Sequence, residues 1–206
     1  MYVSEVVAEV EGSRSAGRQP RVHGNGFVQL DLNEAGTRRL HVWHERVPRQ
    51  AVATPVHDHV FDLRSVVLCG QLVHEILSCH ASPDGEGTHV AYRAIRQGGT
   101  ENTVLVPEGG FPHRVTLEVE QKLILGAGSV YTFPAGELHQ TGHIGLTATV
   151  MDKVNAPEDY GSPRVLVPVG SEPDNEFHRD AHDADELWAL IQLALSTADS
   201  WALMPV

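Results

Sequence analysis

Between residues 26 and 169 the chain alternates short apolar segments with turn chemistry, and this alternation restricts its fold more than any other feature. The segments are GFVQLDL, RRLHVWH, SVVLCGQLVHEIL, THVAYRAI, HRVTLEV, QKLILG, SVYTF, LTATVMDKV and PRVLVPV. Between them lie NEAG, SPDGEG, RQGG, PEGG, GAG and PAGE, where glycine supplies positive φ and proline fixes φ at about −65°. Nine candidate strands at this spacing predict an all-β sandwich or barrel. Alternation within them is partial. Leu40 and Val42 oppose His41 and Trp43, and Val115, Leu117 and Val119 oppose Arg114, Thr116, Glu118 and Glu120. This predicts one buried and one wet face.

One helix is predicted, near the C-terminus, in DADELWALIQLALS. Leu187, Leu190, Ile191, Ala194 and Leu195 recur at helical spacing, and Asp183 with Glu186 three residues on reads as an N-cap with capping-box character. It is expected to pack on the outside of the barrel or across a dimer interface, with Trp188 as a packing anchor. Residues 1–26 are polar and glycine-broken and read as a loose arm, 27–170 as the barrel, and 171–206 as a helical extension.

The net charge of −12 would repel a phosphate backbone or an anionic membrane, so nucleic acid and membrane are not expected partners. No stretch approaches the roughly 18 apolar residues of a transmembrane helix, and the opening residues are acidic where a signal peptide needs a basic start. A cytoplasmic protein is expected. Cys69 and Cys79 form no CxxC and are expected to be reduced thiols. A homodimer is expected, since barrels often pair exposed sheet edges.

Two segments carry chemistry. In PVHDHVFDLRSVVLCG, His57 and His59 flank Asp58. Side chains two apart in an extended chain point the same way, so both imidazoles can converge on one ion. In GSVYTFPAGELHQTGH, Gly128 starts a strand, Pro134-Ala135-Gly136 makes a tight turn, and His139 follows on the return strand, where it can meet the first two.

Together these segments resemble the two motifs of the cupin superfamily, a double-stranded β-helix or jelly-roll barrel. His57, His59 and Gly70 match the first motif; Gly128, Pro134, Gly136 and His139 match the second at every spacing. The resemblance covers residues 27–151. There are two departures: Leu63 stands where many metal-binding members have a glutamate ligand, and His143 replaces the final asparagine of the second motif. Asp62 is the nearest carboxylate and a candidate fourth ligand or partner to one. Without it the site resembles the three-histidine members. The resemblance implies a divalent ion with open coordination positions. Iron(II) suits such a site, and zinc, nickel, manganese and copper fit as well.

Candidates to line the pocket are His41, His44, His74, Tyr92 and Arg93. Strand parity sets Val67, Cys69, Gln71, Val73 and Glu75 on one side and Val66, Leu68, Leu72, His74 and Ile76 on the other. Tyr131 and Phe133 are expected to fill the barrel. His74, Tyr92 and Arg64 are the catalytic candidates, with Arg64 as a possible carboxylate clamp against its plainer reading as a surface charge. Three functions are open. One is a nonheme iron dioxygenase of a small organic acid or thiol, using O₂. A second is a metal-dependent isomerase, lyase or hydrolase in which His74, Glu75 or Tyr92 moves protons. The third is a non-enzymatic binding cupin.

Overall fold

A strand of twenty residues, β4 (Asp62–Ala81), forms the spine of the sheet in the computed structural model, which describes residues 3–49, 55–82, 84–96, 103–110, 112–156, 161–171 and 182–202. β4 pairs with β9 (His139–Asn155) along most of its length. On its other side it meets β8 (Val130–Phe133) in its first half and β7 (Arg114–Gly126) in its second. Beyond β9 the sheet continues through β3 (Arg38–Trp43), β2 (Phe27–Asp31) and β1 (Arg21–His23). Beyond β7 it continues through β5 (His89–Arg96), which also pairs with β6 (Thr103–Pro107), to β10 (Arg164–Pro168). Every pairing is antiparallel. The chain is all-β with a C-terminal helix, as its turn spacing predicts.

All nine expected segments lie in strands, with HRVTLEV and QKLILG joined in β7. β1 and β6 were not foreseen; each is short, and β1 falls in the glycine-broken N-terminal stretch. The turn expected over residues 97–99 lies outside the described residues, as do 172–181 and 203–206 of the C-terminal extension.

Residues 56–58 close the curl into a ring. His57 exchanges backbone hydrogen bonds with His139, at 3.1 and 3.0 Å, on the β9 side. On the other side Asp58 N–H donates to Arg164 O and Leu166 N–H to Val56 O, at 3.1 and 3.0 Å. The metal-motif segment is thus a short stave between β9 and β10.

Gly70 decides which side chains enter the ring. The β4–β9 register shifts on both sides of Cys69, the second time across Gly70, whose φ is +74°. A Cβ there would stand 2.2 Å from Leu146 O and 2.4 Å from Thr147 Oγ1. This bulge reverses the strand's parity. Before it Leu63, Ser65 and Val67 are buried; after it Leu72 and His74 are. Val67 and Leu72 pack in one cluster with Trp43, so the uniform alternation expected for β4, with Val67 and Leu72 on opposite sides, is corrected.

The helices cover the outer face. In α2 (Ala184–Ala202) Leu187, Trp188, Leu190, Ile191, Ala194 and Leu195 are buried against Val28, Leu30, Leu40, Val42 and Val150. Its N-cap is the expected one, with Asp183 Oδ1 accepting from Asp185 N–H at 2.9 Å. The expected loose arm is instead a second helix, α1 (Val3–Ser15), packed into the same cluster. Val3, Val6, Val7 and Val10 recur at helical spacing, a signal masked by valine's modest helix propensity and by Gly12. Arg38 holds α1 down by bonding Glu9 at 2.9 Å and Asp152 at 2.7 Å.

Both faces of the β2–β3–β9 region are therefore covered. The face expected to be wet, carrying His41 and Trp43, is the inside of the curl, and Trp43 is buried. No helix among the described residues is long and apolar enough to cross a membrane.

Candidate metal centre

The stave and the start of β9 bring three imidazoles together. One ring nitrogen from each of His57, His59 and His139 lies within 4.8 Å of the others. The ring centroids are 4.8 to 5.0 Å apart.

Two of the three are fixed by the backbone. His57 Nδ1 meets Pro55 O and His139 Nδ1 meets Glu137 O, both at 2.9 Å. A carbonyl only accepts, so Nδ1 carries the proton and Nε2 keeps its lone pair, as in metal-ligating histidines whose other ring nitrogen is tied to a carbonyl. His59 stacks on Phe61 at 4.9 Å. Burial depresses the pKa of all three: His57 below the ordinary 6.5, His59 well below it with help from the neighbouring imidazoles, and His139 to about 3. All three are neutral at pH 7. Neutral, tautomer-fixed imidazoles converging on one point fit a divalent metal ion.

Asp58 anchors this arrangement from behind. Its side chain is wholly buried and accepts from Arg164 N–H at 2.6 Å and Arg164 Nε–H at 2.8 Å. Arg164 Nη2 also donates to Gly136 O at 3.2 Å. The residue between the two histidines therefore ties the first motif to β10 and to the turn of the second.

Asp62 has a comparable duty. Its Oδ1 accepts from Ala135 N–H at 2.7 Å and its Oδ2 from Asn155 Nδ2 at 2.8 Å, and these bonds lower its pKa. It is outside the histidine cluster. Of the two roles expected for it, ligand or partner to one, the structure does not bring Asp62 into the histidine cluster and gives it the Pro134–Gly136 turn to hold.

The cluster faces a cavity of about 800 Å³, within the usual size for small-molecule sites. His74 lies in its wall, 3% exposed, with Nδ1 bonded to Thr141 Oγ1 at 2.9 Å and its ring between Tyr131 and Phe133. Burial lowers its pKa to about 4. Tyr131 and Phe133 line the cavity as well as filling the barrel. The Tyr131 pKa rises to about 12 through burial, opposed by the Ser65 and Thr149 hydroxyls.

Tyr92 and Arg64 are not brought to the cavity. Tyr92 pairs with Val165 and Pro107 on β5, and Arg64 is exposed. Arg93 is bound to Glu108 and Ser162 O, and Glu75 to Lys122 and Gln140. His44 caps a turn through Arg46 N–H, and His143 bonds Gly145 O. His41 does line the cavity, beside residues that sequence reasoning missed: His23, Phe27, Gln29, Arg39 and Arg49. Alternation on β2 and β3 was the available signal, since Gln29 pairs with His41 and His41 with Thr149 across three strands.

No family model and no curated protein matches the chain. Among solved structures it is similar to hydroquinone 1,2-dioxygenase from Sphingomonas sp. TTNP3 with 4-hydroxybenzoate bound, at 11% identity and TM-score 0.32, over 61% of this chain and 64% of that one. It is similar to hydroxypropylphosphonic acid epoxidase from S. wedmorenis, at 11% identity and TM-score 0.35, over 68% and 56%. It is also similar to an oxalate oxidase, at 17% identity and TM-score 0.34, over 85% and 70%. The chain spans less than two thirds of the first two. The architecture rests on the strand pairing described above, and the three-histidine cluster is a group that could hold a metal ion.

Proposed function

We propose that the chain is a metal-dependent oxidoreductase, a dioxygenase of a small organic acid, with iron(II) held by His57, His59 and His139. The observation that carries this reading is the convergence of three neutral imidazoles on one wall of a cavity large enough for a substrate. Bound iron(II) would supply open coordination positions and the redox chemistry of O₂.

The chain's own residues do the rest. The carbonyls of Pro55 and Glu137 hold the ligating tautomers of His57 and His139. Asp58 and Arg164 fix the stave so that the rings keep their aim. Phe61, Leu63, Phe133 and Met151 give the cavity an apolar wall, which lowers the local dielectric and strengthens charge interactions inside. An organic acid is favoured over a small thiol by the cavity's size and by the cations in its lining, Arg39, Arg49 and Lys153. The reading as an isomerase, lyase or hydrolase loses two of its three proton carriers, since Tyr92 and Glu75 stand outside the cavity.

Elemental analysis of protein purified without chelator tests the reading, with His57→Ala and His139→Ala beside the wild type, followed by oxygen uptake with candidate acids. Near-stoichiometric iron lost in both variants, with acid-dependent oxygen consumption by the wild type, is the expected result. Wild-type turnover that persists without O₂ overturns the dioxygenase; a wild type that binds no metal after reconstitution overturns the enzyme.

A further inference from the structure

Among its described residues the cavity lining reverses the sign of the molecule's charge. The chain carries a net charge of −12, yet the described lining residues include Arg39, Arg49 and Lys153 and, as their one acid, Asp58, which is neutralised by Arg164. Such a cavity gathers anions from solution.

The three cations are not equivalent. Arg39 is paired with Asp31 at 3.1 Å, and Lys153 lies over the Phe61 ring at 4.9 Å. Arg49 meets a neutral acceptor, the Thr141 carbonyl, at 3.0 Å through Nη2, and no carboxylate pairs with it among the described residues. A guanidinium has five N–H donors in a fixed fork, so the bond to Thr141 orients the group and leaves donors for a ligand.

The fold also fixes where Arg49 stands. Gly26, at φ +80°, lets the backbone pass so close that a Cβ would lie 2.7 Å from Arg49 N. The adjoining Phe27 lines the cavity, stacked with His23 at 4.4 Å and 5.1 Å from Trp43. Arg49 is exposed and lines the same cavity as His57. A cation with no carboxylate partner among the described residues thus shares a cavity with an aromatic wall and the three histidines.

We infer that Arg49 binds the carboxylate of an aromatic acid whose ring lies against Phe27 and Trp43, making it the substrate-positioning residue of the cavity. The inference rests on the reading of the cavity as a substrate site, and it moves the carboxylate clamp from Arg64 to Arg49.

Calorimetric titration of the full-length protein as purified, with benzoate and with its uncharged analogue benzamide, tests it. Wild type is expected to bind benzoate at least about tenfold more tightly than benzamide, the ratio a charge-assisted hydrogen-bond pair supplies. Arg49→Gln should bring the two within about twofold, Arg49→Lys should keep part of the preference, and Arg64→Gln should leave it unchanged. Equal affinities in the wild type, no measurable benzoate binding, or a preference that survives in Arg49→Gln overturns the inference. Titrating His57→Ala separates it from the metal reading: a benzoate preference kept there but lost in Arg49→Gln supports Arg49 even if no metal binds. A preference lost in His57→Ala and kept in Arg49→Gln places the carboxylate on the ion and overturns the inference.

Discussion

Asp58 and Arg164 hold each other through two hydrogen bonds, one from the arginine's backbone N–H and one from its Nε–H, with the carboxylate wholly buried. The acid lies between the two histidines of the first motif yet is not part of their cluster. Breaking a buried charge pair from one side typically costs about 3–5 kcal/mol, because the remaining charge is stranded. Asp58→Ala is expected to lose that much stability in urea denaturation and to bind metal more weakly. A loss under about 1 kcal/mol would show that the pair does not anchor the stave.

Two glycines of the cupin-like motifs share a positive φ but differ in surroundings. Gly70 has Leu146 O and Thr147 Oγ1 inside contact distance of a Cβ, whereas Gly128, at φ +84°, has open space. Gly128→Ala should cost about 1–2 kcal/mol from the left-handed backbone alone. Gly70→Ala adds a backbone clash and should cost markedly more, read as a larger drop in melting temperature. Equal drops would rule out close packing at Gly70.

If the three histidines hold an ion in the folded chain only, added divalent metal should raise the melting temperature of chelator-treated wild type, since a ligand of the native state stabilises by mass action. At a hundredfold excess over Kd the gain is about 2.7 kcal/mol. His139→Ala should show little of it. A variant that responds like wild type would place the binding elsewhere.

Acid should unfold the protein through its buried histidines. Burial holds His74 at about 4 and His41 at about 3, against an ordinary 6.5. A native pKa below the unfolded one means the unfolded chain takes up protons first, so stability is full above pH 6.5 and falls as pH drops toward 4. His74 alone accounts for about 3 kcal/mol. His74→Phe, which keeps the ring but cannot titrate, should flatten the curve between pH 6 and 4, and an unchanged slope would refute this assignment.

Much of the architecture was legible because turn chemistry is local. Glycine and proline between Phe27 and Val169 mark strand ends without reference to the rest of the chain, and the spacing of Pro134, Gly136 and His139 encodes a turn that aims one imidazole. Non-local features were hidden. Nothing near Asp62 shows that Ala135 N–H and Asn155 will claim its oxygens. Nothing near Gly70 tells a bulge from a regular strand position, so the side to which His74 turns relative to Val67 was misread. Arg49 was overlooked for the same reason, since its placement depends on Gly26 and Thr141, in strands and turns remote from it in sequence.

The stave that closes the ring joins distant parts of the sequence: His57 stands between β3 and β4, whereas His139 begins β9 and Arg164 begins β10. Contacts between distant parts of a chain bear a loop-closure cost that grows with the length of the loop. The three histidines can meet only once that seam is shut, so an ion bound to all three would act as a clasp across it.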